Sequence, residues 1–195
     1  MQNDEAKINL LARVARSSAS ASTIGSADPE KPASILSLSA AAYGARPNDE
    51  ATVPTGFDPV AVALFEAIVE GAFLVAFADG VFDAEERKTF ERVVITACGG
   101  SVAAKQIHAL VADLEDQLRE DGLDRRIDAI AAPVQKVEQA REILRIAALL
   151  AQTSDDVSQA ERDVLAKIAR ATGLAKDEVD LALRDVKIAL SAKAG

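Results

Sequence analysis

Asp79, Asp83 and Glu86 stand around a glycine in the stretch AFADGVFDAEER, residues 76–87. Carboxylates at this density suit one of two chemistries. They ligate a hard cation such as calcium, which takes about six to eight oxygens, or they accept backbone N–H groups where a helix begins. The spacing allows both. Asp79-Gly80 can close one helix, because glycine takes a left-handed conformation cheaply, and Asp83 with Glu86 has the spacing of a capping box that opens the next. An EF-hand loop is excluded, since the alternating acids at its first, third and fifth positions are missing and the closing Glu comes too early.

The pattern returns 75 positions downstream: LVAFADGVFDAEER (74–87) is answered by LLAQTSDDVSQAER (149–162). Leu74 matches Leu149, Ala76 matches Ala151, Glu86 matches Glu161 and Arg87 matches Arg162. Phe90 and Val93 fall on Leu165 and Ile168, so the apolar face of the following helix is kept as well. An internal duplication is the economical reading. The acids differ, with Ser154 and Ser158 where the first copy has Asp79 and Asp83, and Asp155 where it has Gly80. If the copies face each other, Asp155 and Glu161 join Asp79, Asp83 and Glu86 as candidate metal ligands, with Asp156 beside them. The competing reading is capping alone, because Ser158 to Glu161 is a regular S-x-x-E box that needs no ion.

The run Ala78, Asp79, Gly80, Asp83 and Glu86, with its duplicate, resembles the TerB-like family of tellurite-resistance and stress-response domains. That family includes the membrane-side domain of certain DnaJ-type co-chaperones. The resemblance covers residues 56–192. It implies an all-α bacterial domain, calcium or another divalent ion at the acidic turn, and a protein partner at the inner membrane face.

The elements that must hold these turns are helical. The chain has 195 residues, 49% of them hydrophobic but only six Phe, one Tyr and no Trp, which favours close-packed helices over sheets. Asp58-Pro59 is a good helix start, and Val62, Phe65, Val69, Phe73 and Phe77 make the helix behind it apolar over most of its circumference. Gly99-Gly100 should stop the second helix and Ser101 cap a third carrying Ile107, Leu110, Val111, Leu114 and Leu118. A shorter helix follows Gly122, a long one spans 135–152, and two more spans, 159–172 and 177–192, complete the pattern. The expectation is an all-α compact bundle of about seven helices in two related halves, residues 56–195.

Residues 1–55 read as a largely disordered, flexible N-terminal extension with short apolar segments. Residues 1–16 form either an amphipathic helix or a frayed tail, and 17–34 have the Ser, Ala and Pro content of a linker. The segment ILSLSAAAY (35–43) must dock on its own domain or on another protein, which makes Ile35, Leu36, Leu38 and Tyr43 candidate partner-binding residues.

Charge and residue inventory exclude much else. A net charge of −9 without a clustered basic face argues against nucleic acid. Cys98 is the sole cysteine, so an intramolecular disulfide is impossible, and its place at a helix end suits packing rather than catalysis. Asp4 and Glu5 spoil a signal-peptide pattern, and a cytoplasmic location follows as the expectation, peripheral to the inner membrane by the resemblance. Residues 61–78 are apolar enough to raise a membrane span, but Glu66 and Glu70 interrupt them and a core helix is the better reading. His108 is the sole histidine and reads as a partly buried structural residue. Without a nucleophile motif or a phosphate-binding loop, the chain reads as a non-enzymatic binding module. The alternative is a structural adaptor whose N-terminal segment binds a partner while the acidic turn only caps helices.

Overall fold

The computed structural model describes residues 2–17, 34–45, 58–152 and 157–194. Among them every regular element is a helix, nine in all: α1 (Gln2–Arg16), α2 (Ile35–Gly44), α3 (Pro59–Ala76), α4 (Ala84–Ala97), α5 (Ala104–Asp121), α6 (Leu123–Ala131), α7 (Val137–Ala151), α8 (Gln159–Ala171) and α9 (Glu178–Ala194). The seven from α3 onward are those the spacing predicts.

The architecture is built around α3. Asp58 Oδ1 accepts from the N–H groups of Val60 and Ala61 at 3.0 and 3.1 Å, and Pro59 occupies the first turn, where its missing N–H does no harm. The mean hydropathy of α3, 1.9, makes it the one helix among the described residues long and apolar enough to cross a membrane, yet 67% of it is buried inside the fold. It packs most extensively on α7, its repeat counterpart. Gly71 permits that approach, since a Cβ there would lie 3.0 Å from Ile143 Cγ2.

The duplication is visible in the helix boundaries. A shift of 75 positions carries Ala76, the end of α3, onto Ala151, the end of α7, and Ala84, the start of α4, onto Gln159, the start of α8. The same shift carries the start of α5 to within one residue of the start of α9, so each repeat is a three-helix unit and α6 is the unmatched connector.

At the amino-terminal side the structure selects between the alternatives left open for residues 1–16 and 35–43. α1 is a full helix whose Ile8, Leu11, Ala12, Val14 and Ala15 are buried in the common core, and α2 adds Leu36, Ala40 and Tyr43 to it. Burial of these apolar faces offsets the ordering entropy that the surrounding composition suggested the extension could not repay. Within 1–55, the linker reading falls on residues 18–33 and the loop reading on 46–55, both outside the described residues. The third helix also begins later than expected. Ser101 does not cap α5, which starts at Ala104 with Gln106 Oε1 accepting the Ala103 N–H at 3.0 Å. The intervening backbone is occupied, because the Ser101 carbonyl lies where a Cβ on Gly44 would be 1.7 Å away, and only glycine fits at the end of α2.

Candidate functional site

The first turn starts where α3 ends. The Gly80 N–H donates to Phe77 O at 2.9 Å, and Gly80 takes φ +82°, the left-handed conformation expected of it. Asp79 Oδ1 accepts the Val81 N–H at 2.9 Å, which closes the turn from the side-chain side. Asp83 Oδ1 then accepts from the N–H groups of Glu85 and Glu86 at 2.8 and 2.9 Å, while Glu86 Oε2 accepts the Asp83 N–H at 2.9 Å. This is a complete capping box at the start of α4.

Beneath the turn lies a cluster of phenylalanines. Phe82 meets Phe73 edge-on at 5.4 Å and Phe90 at 5.9 Å between ring centroids. Edge-to-face pairs of this kind add to their burial energy, and they fix where the turn sits on the core.

The second turn repeats the box in different residues. Ser158 Oγ accepts the Glu161 N–H at 3.2 Å, and Glu161 Oε2 accepts the Ser158 N–H at 2.7 Å. Ser154, Asp155 and Asp156 lie outside the described residues, so Asp155 has no placement to report.

The turn after α3 and the start of α8 share an open cleft of ≈ 600 Å³. Asp79, Glu85 and Glu86 line it from the first repeat and Ser158 and Glu161 from the second, over a floor that includes Phe82 and Phe90. The structure thus brings Asp79, Glu86 and Glu161 to one cleft, while Asp83 is spent on the cap of α4. Carboxylate oxygens are ligands of the kind a hard cation takes. Among the described residues, however, no group of three or more His, Cys, Asp or Glu is placed to hold a metal ion. The donors fit such a cation in kind and not in number.

The four partner-binding candidates divide. Leu36 and Tyr43 are buried, with the Tyr43 ring 4.7 Å from that of Phe65, and Ile35 packs partly against the core. Leu38, 61% exposed, remains on the surface. The segment docks on its own fold, one of the two alternatives its composition left open.

Other polar groups were not singled out by spacing. Glu70 is buried on α3, where Arg126 of α6 clasps it through Nε–Oε1 at 2.6 Å and Nη2–Oε2 at 2.9 Å and also reaches Asp121 at 3.1 Å. Burial pushes the Glu70 carboxyl above its ordinary value, against the pull of Arg126. Glu142 on α7 is likewise buried and paired with Arg145 at 2.8 Å. The sequence signal for both was an acid inside an apolar helix, but the partner arginines carry no spacing that announces them. His108 is exposed rather than partly buried, with Nε2 3.5 Å from Glu91 Oε2. Cys98 is buried and its thiol is pushed up to about 12 by desolvation, which leaves it inert at neutral pH.

No curated protein and no solved structure matches the chain. The family model described as tellurite resistance protein TerB matches residues 65–184, which run from the middle of α3 into α9 and contain both turns and the cleft between them. On that match, and with the all-helical duplicated fold that carries it, the chain belongs to the TerB family.

Proposed function

We propose that this chain is a non-catalytic binding module of a bacterial tellurite-resistance or stress-response system, and that the cleft between its repeats is the working site. A divalent cation, calcium first, binds weakly on the acidic rim formed by Asp79, Glu86 and Glu161, and the module engages a protein partner at the cytoplasmic face of the inner membrane. The observation that supports this is the shared cleft: acids separated by 75 positions, Glu86 and Glu161, line one opening. With so few protein donors and water completing the shell, affinity belongs in the weak range, about 0.1–1 mM.

The second reading, helix capping alone, is favoured by the hydrogen bonds that Asp79, Asp83, Glu86 and Glu161 already make to backbone N–H groups. In that reading the chain is an adaptor whose surface does the work. Calorimetry and amide NMR of the full chain, titrated with calcium and with magnesium as control, separate the two. Saturable heat with shifts centred on Val81, Glu86 and Glu161 supports the cation site. A flat titration through millimolar calcium leaves the carboxylates as caps.

A further inference from the structure

α1 lies outside the residues that the TerB family model matches, yet it lies in a groove walled by α4, α7 and α9, of which α4 and α7 lie inside that match. Its apolar face, Ile8, Leu11, Ala12, Val14 and Ala15, is at most 4% exposed. The groove also distinguishes the two ends of the helix. Near the start, Glu5 lies 3.4 Å from Arg92 of α4. At the other end, Arg145 of α7 donates from Nη1 to Val14 O at 3.0 Å and from Nη2 to Ala15 O at 2.8 Å, and Lys193 of α9 donates to Arg13 O at 3.3 Å.

The last-turn carbonyls of a helix lack i+4 partners; Ser17 already donates to Val14 O from its N–H at 3.1 Å and its Oγ at 2.7 Å, and Arg145 and Lys193 add donors to Val14, Ala15 and Arg13, so the groove contacts a carboxyl-terminal helix end as such. Arg145 is set in place for this by Glu142, through Nε–Oε2 at 2.8 Å and Nη2–Oε1 at 2.9 Å. α1 does not fill the groove. A cavity of ≈ 130 Å³ continues beside Val14 and Ser17, walled by Leu144, Leu181, Val186 and Ala189. Between α1 and the next described segment lie residues 18–33, and a chain of that length spans at most about 50 Å.

We propose that the α4–α7–α9 groove is a helix-docking site, that α1 is its resident intramolecular ligand, and that an amphipathic helix of a protein partner displaces it. The partner helix carries small and branched apolar residues at the spacing of α1, an acid near its start for Arg92 and last-turn carbonyls that accept from Arg145. This names the surface for the partner in the function proposed above and is independent of the cation.

The test introduces a protease site within residues 18–33 of the full chain and cuts it after folding. The cut chain should retain its helix content, and a fluorescently labelled peptide of residues 2–17 should exchange into it saturably by anisotropy. The same peptide carrying Leu11→Asp should bind at least a hundredfold more weakly. In the uncut chain, amide hydrogens of α1 should exchange through a local opening well before those of α3 and α7. The proposal is overturned if the labelled peptide does not enter, if the cut chain melts on dilution, or if α1 amides exchange only together with α3 and α7. The assay is run without calcium, so its failure and a flat calcium titration remain separate results.

Discussion

The two turns solve the same mechanical problem with different chemistry. In the first repeat the turn rests on Phe73, Phe77, Phe82 and Phe90, whose rings form a connected cluster, whereas a shift of 75 positions puts Ala148, Gln152, Val157 and Leu165 in their places. What both repeats keep is the reciprocal box, Asp83 with Glu86 and Ser158 with Glu161. The comparison teaches that the cap is the shared requirement and that Asp83 or Ser158 can build it. Asp79, which the α4 box does not use and which Ser154 replaces in the second repeat, is the charge left for a ligand.

The largest effect that would sharpen this contrast is expected from Phe73→Ala. The ring is fully buried, and its removal should lower stability by about 3–5 kcal/mol in denaturant unfolding. The counterpart Ala148 is equally buried with no ring, so the second repeat has no position of matching sensitivity at that site. A loss below 1 kcal/mol would mean that the aromatic cluster does not anchor the first turn.

Next in size is the buried ion pair that ties α3 of the first repeat to the connector α6. Arg126→Ala strands Glu70 without its partner and should cost about 3–5 kcal/mol near neutral pH. The pH dependence has a definite sign. The folded Glu70 carboxyl titrates above its unfolded value of 4.5, so the folded state holds the proton more tightly. Its contribution to stability is then fully present below about pH 4.5 and is lost as pH rises through the folded value. Relative to Glu70→Gln, which does not titrate there, the wild-type chain should gain stability as pH falls towards 4.5. A difference that is flat with pH would show that Arg126 fully offsets the burial.

The caps come third. Asp83→Ala and Ser158→Ala should each cost about 1 kcal/mol, read as matching drops in thermal midpoint. A much larger loss at Asp83 would break the equivalence of the two boxes. The smallest effect is expected from Asp83→Ser, which gives the first repeat the cap of the second. Stability should change by only a few tenths of a kcal/mol, and any calcium-induced rise in thermal midpoint should be unchanged, because Asp83 caps α4 and does not line the cleft. A smaller calcium response would bring Asp83 back among the cation's ligands.

Local rules sufficed wherever the determinant was local. Asp58-Pro59, the Asp83 and Ser158 boxes, the positive φ of Gly80 and the apolar spacing of α3 and α7 depend on neighbours within a turn or two, and they are legible in residue order. The duplication was legible for the same reason, since equal local patterns at a fixed offset need no knowledge of packing. Ser101 shows the limit. Its type suits a cap, but the carbonyl is pressed against the end of α2, and the α5 start moved to Ala104.

Residue order alone specifies the seven helices from α3 onward, the Asp58, Asp83 and Ser158 caps, the two-copy plan and the family. Packing is what puts the first turn and the start of α8 on one cleft, α1 and α2 in the core, and Arg126 and Arg145 on Glu70 and Glu142. Helix formation and capping are set by contacts a few residues apart. Cleft lining, helix docking and the Glu70–Arg126 pairing join residues up to 180 positions apart, and a sequence period says which face of a helix is apolar but not which helix will cover it.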